Sequence, residues 1–272
     1  MGLRVNTNVF SLNAQRNLSN TTSRLSGNYS RLSSGLRIAS AADDAAGLGI
    51  SERMRSNIRS LGQASRNALD GQSLVNTSEG ALNEVNSNLV RMRELAIQSS
   101  NEVLSSSDRS VIAAEFNELV SEIDRISSVT DFNGISLLDG STVTLDLQVG
   151  VGTDTGDTIT LSLVDASLSG LSISSLDVST DASGAISAID TAIDSVNVAR
   201  GTLGASSNRL SSTIRSIANY QENLSGAESR IRDVDVAFET ADLTRNSILQ
   251  QAAVSVLAQA NSQPSLALSL LG

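Results

Sequence analysis

Eight apolar residues stand seven apart: Ile189, Val196, Leu203, Leu210, Ile217, Leu224, Ile231 and Phe238. A seven-residue repeat keeps one stripe of a helix apolar and demands a partner helix to cover it. The same interval recurs elsewhere. Leu18, Leu25 and Leu32 follow it, with Tyr29 and Leu36 four residues after the last two. Leu61, Ala68, Val75, Leu82, Leu89 and Ala96 form another series, and Ile112, Phe116, Leu119, Ile123 and Ile126 alternate four and three. The single proline, Pro264, leaves the rest of the chain free to form long helices. Gly71, Gly80, Gly201 and Gly204 interrupt the series, each at about 1 kcal/mol relative to alanine in a helix. They read as places of local loosening or of close packing.

Between the helical blocks the period drops to two. Val143, Leu145, Leu147, Val149 and Val151 alternate with polar residues, as do Ile159, Leu161 and Leu163. With the turn 152–157 between them, these segments predict a β-hairpin. Residues 165–184, rich in Ser, Asp and Gly, read as a surface connection. The predicted fold is mainly α: a long antiparallel helical bundle or coiled coil with a small β-hairpin region at about 142–165. Matching seams at the two chain ends predict a terminal coiled-coil domain, 1–42 with 231–272, and a helical core domain, 43–230.

Residue types narrow the function. The chain lacks His, Cys, Lys and Trp, and all 19 basic residues are Arg. Nucleophilic triads, the usual zinc sites and lysine-dependent phosphate loops are therefore excluded. Asp43 and Asp44 are adjacent, so on a helix they do not face one another, and they read as an acid-rich helix start. Gly47-Leu48-Gly49 follows no strand and does not extend to a dinucleotide fingerprint. Asp154 and Asp157 lack the ligand density of a calcium loop. No enzyme, cofactor or metal is expected.

Charge is distributed unevenly. Residues 1–42 hold five Arg and no acid, whereas 43–242 hold 13 Arg and 29 Asp or Glu. The net charge of −10 disfavours nucleic acid as a partner. From Asn246 onward no residue is charged, and Leu, Val, Ala and Gln dominate. That tail is too short and too rich in Gln to span a membrane. In a free chain it has no obvious place to bury its apolar surface and is expected to be disordered; among associated copies it can pack against residues 1–42 and against its neighbours, with Val254 and Leu257 in that contact.

The sequence resembles bacterial flagellin. The resemblance rests on "RVNTNVFSLNAQRNL" at 4–18, "RLSSGLRIASAADDAAGLGISERM" at 31–54 and "QASRNALDGQSLVNTSEGALNEVNSNLVRMRELAIQSSN" at 63–101. It continues through "EIDRISSVTDFNGISLLDG" at 122–140, "ARGTLGASSNRL" at 199–210 and "ESRIRDVDVAFETADLTRNSILQQAAVSVLAQAN" at 228–261. Only about 45 residues separate the two blocks, implying a short form without outer domains.

The resemblance implies a subunit that self-assembles into the extracellular flagellar filament for swimming. Its self-assembly residues would be Leu18, Leu25, Leu32, Leu36, Phe238, Ile248, Val254 and Leu257 in the terminal helices. It also implies export, unfolded, by the flagellar type III apparatus, and partners comprising an export chaperone, the filament cap and hook-associated junction proteins. A Toll-like receptor of hosts would read a patch at Arg91, Leu95 and Glu115. A hook-filament junction protein, which shares the terminal helices, is the alternative.

Overall fold

The structure is a computed structural model that describes residues 7–269, with side chains described to residue 263. Five helices account for most of it: α1 (Val9–Ser34), α2 (Ala45–Ser99), α3 (Ser106–Val129), α4 (Ala182–Arg232) and α5 (Val236–Ser269). Four short strands lie between α3 and α4: β1 (Asp131–Phe132), β2 (Ile135–Ser136), β3 (Thr144–Gln148) and β4 (Thr158–Ser162). The chain forms two compact units, Met1–Ser56 with Asn223–Gly272 and Asn57–Glu222. The mainly helical architecture agrees with the expectation from the heptads.

In the unit 57–222, α2 supplies the longest seam. Leu61, Ala64, Ala68, Gly71, Val75, Ser78, Leu82, Val85, Leu89, Met92, Ala96 and Ser99 are all buried, alternating three and four residues apart. The seven-residue series picks out every other member of this run and so shows half of the seam. Ala, Gly and Ser supply most of the other half and let neighbouring backbones approach. Against it pack Ile112, Phe116 and Ile123 of α3 and Ile189, Val196, Leu203 and Leu210 of α4. Each buried Leu, Ile or Val contributes roughly 1.5–3 kcal/mol before ordering costs.

Polar contacts set the direction of α4. Arg93 donates to Asp190 at 2.6 Å, and Gln72 donates to Ser211 at 3.2 Å. Arg93 lies as far after Gln72 as Asp190 lies before Ser211, three heptads in each helix. The two helices are therefore antiparallel and stay in one register over that length.

The predicted hairpin is β3–β4, paired from Thr144↔Ser162 to Gln148↔Thr158. Its core face carries Ile159 and Leu161. It docks on α2 at two points. Asn67 Nδ2 donates to the Gln148 carbonyl at 2.9 Å. Leu147 fills the notch at Gly71, where a Cβ would overlap Leu147 Cδ1. The helical glycine at 71 thus serves close packing.

A second hairpin, β1–β2, was not expected. Asn133 and Gly134, at φ 55° and 79°, make the two-residue turn that such a hairpin needs. The connection 165–184 also differs from expectation. Ala166, Leu171, Ile173 and Val178 are buried, and Ser99 Oγ donates to the Val178 carbonyl at 2.8 Å. Its apolar residues are sparse and aperiodic, so composition suggested a surface loop. They nevertheless seal the end of the helical core.

In the unit 1–56 with 223–272, α1 is capped by Asn8, whose side chain accepts from Ser11 N. Asp235 caps α5, accepting from the Ala237 and Phe238 N–H groups. The longest heptad series does not run on into α5. It is buried through Ile217, half-buried at Leu224 and Ile231, and exposed at Phe238, which is 66% accessible. The break at 233–235 ends α4 and restarts the helical phase. Leu36 also lies off the helices, in the segment after α1, and pairs through its backbone with Asp233.

Candidate assembly surface

Helices α1 and α5 pack along each other antiparallel. On α1 the inward positions are Ser11, Ala14, Leu18, Thr21, Leu25, Asn28 and Leu32. On α5 they are Glu239, Leu243, Asn246, Gln250, Ala253, Leu257 and Ala260. Both runs alternate three and four residues, the spacing of a coiled-coil seam. Direct bonds mark the direction: Asn8 Nδ2 donates to the Ala260 carbonyl at 2.7 Å, Ser11 Oγ to Asn261 at 2.7 Å, and Asn28 Nδ2 to Glu239 at 2.6 Å. The uncharged tail therefore finds part of its partner surface within its own chain.

Of the terminal residues expected to mediate assembly, Leu18, Leu25, Leu32 and Leu257 lie on this seam. Phe238, Ile248 and Val254 do not; they are 66%, 61% and 52% exposed. Val9, Phe10 and Leu12 on α1 and Leu249 and Val256 on α5 are also exposed. One stripe of each helix is thus used within the chain, and further apolar side chains stay open around it. The polar seam members Asn28, Glu239 and Asn246 were missed, because an apolar-only heptad search passes over them. A count of every position at three–four spacing would have found them.

The breaks before α2 and before α5 are tied together. Arg37 N donates to the Arg232 carbonyl at 2.6 Å, and Val234 N to the Gly35 carbonyl at 3.0 Å. Arg232 Nη1 bonds Glu52 Oε1 at 2.7 Å. The Asp43-Asp44 pair divides its work. Asp43 accepts from the Ser40 N–H and hydroxyl and from Ala39 N, whereas Asp44 accepts from Gly47 N at the start of α2. The Ser40 bonds, backbone first, hold the Asp43 carboxyl below its ordinary value. The bond from Arg232 does the same for Glu52.

Depressed carboxyl values mean that these bonds contribute stability above the unfolded values and lose it as pH falls through the folded ones. Acidification below about pH 4, the ordinary carboxyl range, is expected to loosen this joint. Hydrogen exchange of residues 35–44 and 232–235 should accelerate there more than exchange in the middle of α1. Equal protection of the joint on both sides of that range would contradict the assignment.

In the other unit, Arg91 and Glu115 meet across α2 and α3. Arg91 Nη2 lies 2.7 Å from Glu115 Oε1, and Nη1 lies 3.0 Å from Glu94. These two carboxylates, Glu115 first, raise the Arg91 pKa. Leu95 is 1% exposed and belongs to the core, so it presents no side chain beside this pair.

Among the described residues no group of three or more Asp or Glu could hold a metal ion. No described helix is long and apolar enough to cross a membrane. Long helices that pair along one stripe and leave further apolar side chains open define a structural, self-associating class of protein.

Known proteins place the chain within that class. The model of the bacterial flagellin N-terminal helical region matches residues 5–143, and that of the C-terminal helical region matches residues 186–271. The chain belongs to the bacterial flagellin family, a family of structural proteins and not of enzymes. It is 49% identical over 271 residues to a flagellin of Halalkalibacterium halodurans, covering 98% of this chain and 99% of that one. It is 42% identical over 283 residues to the flagellar filament 33 kDa core protein of Treponema phagedenis, covering 98% and 99% respectively. The crystal structure of Bacillus cereus flagellin superposes with a TM-score of 0.50 at 31% identity, covering 56% of this chain and 88% of that one.

Proposed function

We propose that this chain is the structural subunit of an extracellular flagellar filament that drives swimming, built by self-association of its terminal helices. The observation that carries this reading is the apolar surface that the α1·α5 seam leaves open, with Val9, Phe10, Leu12, Ile248, Leu249, Val254 and Val256 exposed. Apolar side chains left open in this number on an already paired set of helices mark an association site. The occupant is another copy, as the filament names of its relatives support. Identity of 49% along almost the whole length of a flagellin favours the subunit over a hook-filament junction protein. Purified protein added to filament seeds should extend them, as seen by electron microscopy. Failure to extend under conditions that polymerise its relatives would sink the reading.

Export through the flagellar type III apparatus, with a chaperone, a filament cap and junction proteins as partners, follows from the same family reading. A chain that threads unfolded through a channel must refold without covalent help, and the absence of Cys is compatible with that.

Recognition by a Toll-like receptor is proposed at Arg91 and Glu115, with Leu95 supporting the helix from behind. An exposed ion pair of this kind adds at most about 1 kcal/mol to stability. An Arg desolvated in an interface can cost about 2 kcal/mol when truncated. Arg91→Ala combined with Glu115→Ala should therefore leave the melting temperature nearly unchanged and weaken receptor binding. Unaltered signalling by that monomer would remove the patch from the proposal.

A further inference from the structure

Three polar side chains are buried in the α1·α5 seam. Asn28 is 1%, Glu239 6% and Asn246 9% exposed. Asn28 Nδ2 donates to Glu239 Oε1 at 2.6 Å, and Asn246 Nδ2 donates to Asn28 Oδ1 at 2.9 Å. Arg31 adds Nε to Glu239 Oε1 at 2.8 Å and an ion pair at the same distance. An ionised carboxylate only accepts, so Glu239 dictates the orientation of the Asn28 amide, which then has an oxygen free for Asn246.

Such a cluster is a poor way to gain stability. Well-packed apolar residues in its place would hold the helices at least as firmly. Its other attested use is to discriminate between pairings. The rest of the seam discriminates weakly. Leu243, Ala253, Leu257 and Ala260 could zip against the same stripe of a second α5 as readily as against α1. The backbone bridge of Leu36 with Asp233 fixes the level of α1 against α5 within a chain. It cannot prevent one copy's α5 from joining another's where copies are crowded.

We propose that the Asn28–Arg31–Glu239–Asn246 cluster is the partner-selecting element of the terminal helices, making α5 choose α1 over a second α5. Among the described residues, the donors to the Glu239 carboxylate, Asn28 and Arg31, both come from α1. A parallel α5 pair sets Glu239 against Glu239, two buried like charges with no Arg. The proposal rests on the filament reading only in assuming that many copies lie side by side; the pairing test below needs no filament.

The cysteine-free chain allows the test by disulfide trapping in full-length protein. The pair Ala14→Cys with Leu257→Cys reports α1·α5 pairing within a chain. Leu257→Cys alone reports parallel α5·α5 pairing as a covalent dimer. In the natural background the intrachain bond should form and the dimer should be rare. With Asn28→Leu, Glu239→Leu and Asn246→Leu together, the dimer should rise roughly tenfold or more, the ratio that one unpaired buried polar group imposes. A dimer yield unchanged by the three leucines overturns the proposal.

A charge exchange guards against simple misfolding of that variant. Glu239→Arg alone should lower intrachain trapping by a similar factor, since Arg31 then faces Arg. Adding Arg31→Glu should restore it, because Asn28 can turn its amide oxygen towards the new guanidinium. Absence of the loss, or of the recovery, is equally decisive against partner selection.

Discussion

Val254→Asp will abolish polymerisation while the paired terminal helices stay intact. Val254 is 52% exposed on the outer face of α5, one turn away from the inward Leu257. In a single chain the new carboxylate stays in water and disturbs nothing. At a contact between copies it is buried without a partner, at a cost of about 3–5 kcal/mol at every repeated interface. Leu257→Asp also blocks assembly, for a different reason: it puts a charge into the α1·α5 seam and separates the helices. Sedimentation reports the loss of polymer in both variants. Circular dichroism of the monomers separates them, with helix content kept in the first and reduced in the second. Normal filaments from Val254→Asp would show that this face is not an interface.

The second large effect is at Gly71. A valine there meets Leu147 side on, at a point where the hairpin lies against α2. Overpacking of this kind costs typically about 1–3 kcal/mol, and the upper end is expected because Asn67 also holds Gln148 close to the helix. Hydrogen exchange should become fast along 144–148 and 158–162 and change little along α3. Gly71→Val combined with Leu147→Ala should recover most of the stability, since the second change vacates the volume that the first one needs. Wild-type exchange in Gly71→Val alone would mean that the notch is not a close contact.

Sequence periodicity reached the architecture because coiled-coil packing repeats. Leu61 through Ala96 and Ile189 through Ile217 are buried at the interval that identified them. The β3–β4 hairpin was legible for the same reason, as alternation with a turn between. Leu18, Leu25 and Leu32 lie on the terminal seam. Phe238 broke the pattern, because a helix break at 233–235 resets the phase and a count of sevens cannot register it. The burial of Ile173 and Val178 was invisible, because isolated apolar residues in a polar stretch acquire a face only when they dock.

The amino-acid sequence alone determined that this chain would be helical, paired end to end with itself and devoid of His, Cys or Lys chemistry. Those conclusions follow from local spacing and from residue types, which need no fold to be read. Only tertiary structure decided which stripe of each terminal helix turns inward. Val254 and Leu257 are three residues apart and equally apolar. Whether each meets α1 or the outside depends on where Asp235 restarts the helix, and on the level at which Asn28 meets Glu239 and Asn246. The distinction between a seam within a chain and a surface between chains is one of position in space, and residues far apart in the chain set it.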